Sequence, residues 1–325
     1  MKKILKNRAA ALVMAVILCA SLVIPMSGCA EKKRDTITVN VSYGSYTDAA
    51  LIIAEKKGFF EKNMPNYTIE YAHVASSPDI RDAMISKQID VSGMSIFSYI
   101  TAYEEGMPIS LISFNGGAPV YMYSANDEIK DVSDIKSEHR ISINNKATVI
   151  HFAFLAYCKE NFGDAMIYDS NLTTIAAADA IAALQTNDDF DAALFNFPGC
   201  VKAENIDGVS KIADFTSYIM DYNVGSALFT RDEFYDQYPD VIEAVKKAHQ
   251  EGTEFIKNNR DEAAEILAEA YGVDKERLLE VFDTMLPALE ITGYDKIASL
   301  MYEIGILDHE PGKFEDLRNY DDIPK

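Results

Sequence analysis

The chain has 325 residues, a formal net charge of −21 and 48% hydrophobic residues. That apolar share fits folded cores and the length fits two ordinary domains behind a leader, which excludes a disordered or low-complexity chain. So acidic a surface repels nucleic acid and anionic lipid headgroups, and argues against both as partners.

The first 28 residues read as a secretory signal. Lys2, Lys3, Lys6 and Arg8 form a basic start, an apolar run spans 9–24, and small residues precede Cys29. Met26-Ser27-Gly28-Cys29 reads as a lipobox, so cleavage before Cys29 and acylation of that cysteine are expected. An uncleaved transmembrane anchor is the alternative, because the run is about as long as the shortest membrane spans; Pro25 and the Ser-Gly-Cys ending favour cleavage. The expected location is the extracytoplasmic face of the cell membrane, held through lipid only. Loss of the leader removes four positive charges and no acids, leaving −25. Cys19 goes with it. Cys158 and Cys200 alone form neither a disulfide framework nor a metal-ligand pattern, and read as small buried residues, with a single bridge left open.

After a polar tether at 29–36, the alternating run 37–43 predicts a strand. Thr47 or Asp48 can cap a helix ending at Gly58. A second strand covers 67–74. Ser76-Ser77-Pro78 is a helix start, and the helix 79–87 leads to a short strand at 89–91, closed by Ser92-Gly93-Met94-Ser95. A helix to about 105 and a strand at 109–114 follow. This rhythm predicts a parallel sheet with helices on its faces. The pattern restarts after Asn115-Gly116-Gly117-Ala118-Pro119: strands at 120–124, 140–143, 172–175, 191–196 and 211–215, a helical turn at 132–136, and helices at 148–159 and 178–185. A last strand spans 224–230. From Pro239 onward the chain reads as helical, over about 240–258, 261–271, 275–286 and 293–304, with Gly272 and Gly305 at helix ends. Two α/β units with a helical tail are the result. The chain crosses near 115–125 and returns near 216–226, so lobe 1 is expected at 37–118 plus 225–325 and lobe 2 at 119–224.

Four segments carry a family resemblance: AEKKGFFEKN (54–63), AMISKQIDVSGMS (83–95), EEGMPISLIS (104–113), and the run 129–157 followed by 177–198. In order and spacing the chain resembles the substrate-binding lipoproteins of ABC importers, in the NMT1/THI5-like branch that includes nitrate-, sulfonate-, taurine- and thiamine-pyrimidine-binding proteins. The likeness covers about 37–305. It implies an α/β, periplasmic-binding-protein type II fold, with two lobes joined by a two-strand hinge. It also implies a small-molecule ligand, ABC permease and ATPase partners, and no cofactor. Ser137 stands where the family has a turn glycine, and the polar stretch 186–189 replaces another. The cysteine-rich motif of the pyrimidine-synthase relatives is absent, and no one ligand class transfers.

Ligands in open α/β sheets bind beyond the carboxyl ends of strands. That rule selects Tyr43, Ser45, Tyr46, Ser76, Ser77, Ser92, Met94, Ser95, Asn115 and Gly116 in lobe 1, and Asn145, Lys146, Thr148, His151, Asn196 and Phe197 in lobe 2. Helix starts at Ser77 and Thr148, and a third after Ser95, offer free N–H groups and partial positive charge to a carboxylate, sulfonate or phosphate. Ordinary capping explains the same residues. Lys146 is the one basic residue in these loops; it pairs an anion or solvates a loop. His151 donates to ligand or is structural. Tyr43, Tyr46, Phe97, Phe114 and Phe197 near strand ends favour a planar organic ligand, although core packing suits Phe97 and Phe114 better. The five histidines show no metal spacing, and no nucleophile elbow or H-E-x-x-H occurs, so no catalytic or metal site is expected. The alternative is an enzyme of this fold related to pyrimidine synthesis for thiamine.

Overall fold

A computed structural model describes residues 37–43, 48–74, 76–146, 148–186, 189–220, 225–285 and 293–323. The signal, Cys29, the tether, Ser45 and Tyr46 lie outside the described residues.

The first half of the chain alternates strand and helix: β1 (Thr38–Tyr43), α1 (Ala49–Lys56), α2 (Phe59–Asn63), β2 (Thr68–His73), α3 (Ser77–Ile85), β3 (Val91–Ser95), α4 (Ile96–Glu104) and β4 (Ile109–Asn115). A second set follows: β5 (Val120–Ser124), β6 (Ile141–Ile143), α5 (Val149–Phe162), β7 (Leu172–Thr174), α6 (Ala177–Thr186), β8 (Ala192–Asn196), α7 (Gly199–Ala203), β9 (Ser210–Asp214) and α8 (Ser217–Met220). Then come β10 (Ser226–Arg231), α9 (Asp232–Gln237), α10 (Pro239–Asn258), α11 (Arg260–Tyr271), α12 (Lys275–Val281) and α13 (Tyr294–Glu303).

Two five-stranded sheets result, ordered β2-β1-β3-β10-β4 and β7-β6-β8-β5-β9. The expected parallel sheet is corrected to a mixed one in both cases. β1 runs parallel to β2 and β3, and β6 to β7 and β8, while β10 and β5 are antiparallel to their neighbours. The physical reason is the route of entry. Helical crossovers over one sheet return a strand parallel, whereas β5 and β10 enter from the other sheet. The segment 92–95 is a second correction: expected to close a strand at 89–91, it is itself the body of β3, with Val91 to Met94 buried. Helices α7, α8 and α9 are short and were not anticipated.

The two crossing segments lie against each other. Ser226 pairs with Asn115 where they leave the first sheet. A Cβ at Gly225 would sit 2.1 Å from the Gly116 carbonyl oxygen and 2.5 Å from Gly117 Cα, so only glycine fits. The Gly225 carbonyl accepts from Ile96 N at 3.3 Å, and Ser226 Oγ donates to the Met94 carbonyl at 2.7 Å.

The long helix α10 buries Val241, Ile242, Val245, Ala248, His249, Gly252 and Ile256, a helical stripe packed on α1. Its Gly252 lets the two backbones touch, since a Cβ there would meet the Ala50 carbonyl oxygen at 2.2 Å. Beyond α13 the tail returns to the edge strand β4. Leu317 and Ile323 are buried, and Asn319 Nδ2 donates to the Leu111 carbonyl. Arg318 holds the Asp236 carboxylate at 2.5 and 2.7 Å. Cys158 and Cys200 are both free and buried, and burial pushes each thiol up to about 12.

His249 makes a pH prediction. It is fully buried, with Nδ1 3.5 Å from Ser113 Oγ, and burial lowers its pKa to about 4. The folded chain therefore keeps it neutral while the unfolded chain protonates it near 6.5. Below that value the unfolded state binds the extra proton, so stability falls as pH drops from about 6.5 to about 4, by about 3 kcal/mol for this residue. Urea midpoints across that range should show a shallower acid limb in His249→Gln; an unchanged slope would remove His249 as the cause.

Candidate ligand-binding cleft

Between the carboxyl ends of the two sheets lies a cleft of about 570 Å³, within the size range of small-molecule sites. The first sheet contributes Ser76, Ser77 and Ile80 around the start of α3, and Met94 and Ser95 at the end of β3. The second contributes Asn144 and Asn145 after β6, Thr148 and Val149 at the start of α5, Thr174 to Ala177 between β7 and α6, and Asn196 at the end of β8. None of these lining residues is charged.

What faces the cleft instead is backbone polarity. Helices α3, α4, α5 and α6 all begin at its walls, with 9, 9, 14 and 10 residues. Each start carries partial positive charge and N–H groups without intrahelical partners. The starts differ in their capping. Ser76 caps α3, its Oγ accepting from Asp79 N at 3.3 Å. Ser95 stands at the N-cap of α4 without a side-chain cap bond, and its Oγ is buried with no hydrogen-bond partner. Thr148 stands at the N-cap of α5, but its hydroxyl donates to the Asn145 carbonyl at 3.0 Å and does not cap. Two hydroxyl-bearing helix starts, one from each sheet, are therefore left uncapped by side chains.

Of the sequence candidates among the described residues, Ser76, Ser77, Met94, Ser95, Asn145, Thr148 and Asn196 line the cleft. The other described candidates do not. Lys146 is held by Asp169 at 2.8 and 2.9 Å, and His151 Nε2 lies 3.4 Å from the same carboxylate. Burial lowers the His151 pKa against the raising effect of Asp169, so the imidazole is neutral at pH 7. The Lys146–Asp169 pair ties the residues after β6 to the turn before β7, a structural role. Ser92 is buried, its Oγ donating to the Gly93 carbonyl. Asn115 ends β4. Phe197 is fully buried against Tyr271, with ring centroids 5.1 Å apart. Tyr43 packs edge-on to His73 and donates to Glu55, facing a separate hollow beside Ile52, Lys57 and Ile266. Phe97 and Phe114 are buried in the core. Tyr43, Phe97, Phe114 and Phe197 therefore form no aromatic sandwich in the cleft, and the argument for a planar ligand loses those residues.

The structure adds Ile80, Asn144, Val149 and the segment Thr174 to Ala177. The strand-end rule applied to β7 finds that segment, since its signal equals that of β6 and β8. Among the described residues no group of three or more His, Cys, Asp or Glu could hold a metal ion, and no helix is long and apolar enough to cross a membrane.

This architecture is that of the periplasmic binding proteins. The aliphatic sulphonate-binding protein SsuA from Escherichia coli superposes with a TM-score of 0.68 at 18% identity, over 88% of this chain and 98% of that one. The alkanesulfonate-binding SsuA from Xanthomonas axonopodis pv. citri, bound to MOPS, gives 0.71 at 16%, over 84% and 95%. The nitrate-binding protein NrtA from Synechocystis PCC 6803 gives 0.68 at 15%, over 84% and 83%. These three solved structures are of binding proteins. A search of curated proteins gives no match. Residues 32–271 match the model of the NMT1-like family, and the chain belongs to that family.

Proposed function

We propose that this chain is an extracytoplasmic solute-binding lipoprotein. It captures a small organic molecule between two lobes, 37–118 with 225–325 and 119–224, and delivers it to an ABC permease and its ATPase. Cys29 carries the lipid. One observation carries the reading: four helix starts from both sheets converge on a cleft that has no charged side chain among the described residues. Such a site favours a compact anionic or strongly polar head over a cation. Ile80, Met94, Val149 and Ile175 supply apolar surface for the rest of the molecule. Contacts drawn from both sheets bind best when the lobes are together, so ligand shifts the population toward the closed form.

The test is thermal-shift and calorimetric titration of the full chain with nitrate, taurine, linear alkanesulfonates and aliphatic carboxylates. Ser95→Ala and Thr148→Ala should each weaken the best probe by about tenfold, the worth of one well-placed hydrogen bond. Tyr46→Ala should weaken it too. Wild-type affinity in the Ser95 and Thr148 variants would move the contacts elsewhere, and chemical conversion of the bound compound would favour the pyrimidine-synthesis enzyme alternative.

A further inference from the structure

One aromatic pair joins a helix of the first sheet to a helix of the second. Phe97, the second residue of α4, stacks on Phe152, in the first turn of α5, with ring centroids 4.0 Å apart and planes inclined by 24°. Both side chains are buried, at 1% and 0% exposure. α4 follows β3 of the first sheet and α5 follows β6 of the second. The stack therefore ties together the two helices whose starts, at Ser95 and Thr148, are uncapped by side chains and face the cleft.

We propose that Phe97 and Phe152 are positioning residues: their stack is the spacer that fixes the distance between the α4 and α5 starts, and so the size of head group the cleft accepts. The inference rests on the solute-binding reading for its consequence, but its geometry stands by itself. Stacked rings have a defined separation, set by contact of their faces, and a close-packed interior transmits a change in that separation to its neighbours. Backbone bonds hold each helix start, that of α4 to the crossing segment and that of α5 within its own first turn. Ile96 N donates to the Gly225 carbonyl at 3.3 Å, and Phe152 N donates to the Thr148 carbonyl at 2.9 Å. Neither ring lines the cleft, so a change in either alters the opening without removing a ligand contact.

The experiment compares the full chain with Phe97→Leu, Phe152→Leu and, as a control inside one lobe, Phe154→Leu, which loses packing against Tyr168 and Phe215. Hydrogen exchange is read at the Ile96 and Phe152 amides, and binding is read with alkanesulfonates of increasing bulk at the carbon bearing sulfur, from methanesulfonate to 2-methylpropane-2-sulfonate. Phe97→Leu should speed exchange at Phe152, and Phe152→Leu should speed it at Ile96, each by fivefold or more, while Phe154→Leu leaves Ile96 unchanged. The ratio of affinities for the bulkiest and smallest probes should shift by fivefold or more in the two spacer variants. Absence of the cross-lobe exchange effect overturns the spacer, as does an equal loss of affinity for every probe. If no alkanesulfonate binds the wild type, the anion preference in the binding reading fails, while the exchange data still decide the spacer.

Discussion

Asp90→Ala is expected to lower the unfolding free energy by about 3–5 kcal/mol, the cost of leaving a buried charge without its partner. Asp90 is 6% exposed and precedes β3. Its Oδ1 lies 2.8 Å from Arg231 Nη2, and its Oδ2 accepts from both Asn40 N and Asn40 Nδ2 at 2.9 Å. Arg231 also donates to the Ile89 carbonyl, and Thr230 Oγ1 donates to the Asp90 carbonyl at 2.6 Å. One carboxylate thus joins β1, β3 and β10, the middle of the first sheet. Removing it strands Arg231 in the interior and unsatisfies the Asn40 N–H. Arg231→Met should cost less, because Asp90 keeps both Asn40 donors. Urea unfolding monitored by circular dichroism gives both values. A loss below about 1 kcal/mol for Asp90→Ala, the range of an exposed pair, would mean that the cluster is not holding the sheet.

Gly225→Ala should destabilise by about 3 kcal/mol or more, at the upper end of overpacking effects. The added methyl meets backbone, not a flexible side-chain end, so relief requires moving the Gly116–Gly117 segment or β10 itself. Either movement disturbs the Ile96 and Met94 bonds, next to the cleft-lining Met94 and Ser95. The control is Gly312→Ala, whose new methyl would find Glu104 Oε1 at an ordinary 3.5 Å and should change little. Differential scanning calorimetry should place Gly225→Ala several degrees below the control, at about 2–4 °C per kcal/mol for a chain of this size. Equal midpoints would show that the crossing yields without cost.

Element order was legible because the local signals are strong. The boundaries of β5 follow from its alternation and flanking turns, and α10 from its stripe of apolar residues. Orientation within the sheets was not, because antiparallel entry of β5 and β10 depends on where the chain comes from, which no local pattern records. Ser92-Gly93-Met94-Ser95 was expected to close a strand at 89–91, yet pairing with β1 and β10 makes it the body of the strand. The site divides the same way. Strand-end position is readable and gave Ser76, Ser77, Met94, Ser95, Asn145, Thr148 and Asn196. The face a side chain takes, and a partner far along the chain, are not. Lys146 is occupied by Asp169, and Tyr43 turns toward His73, both through contacts that sequence proximity does not announce.

The position of β10 has a consequence for chain synthesis. In the first sheet it lies between β3 and β4, which are not paired to each other. As the polypeptide grows from its amino end, every strand of the second sheet is present once residue 214 has emerged, while the first sheet still lacks its penultimate strand. The inserted unit can thus assemble first, and the unit that begins the chain must wait with two open strand edges until residues 226–231 arrive. During that interval β3 and β4 are the segments most exposed to wrong pairing. A chaperone or translocation machinery that keeps residues 91–115 extended would protect the step on which the whole fold closes.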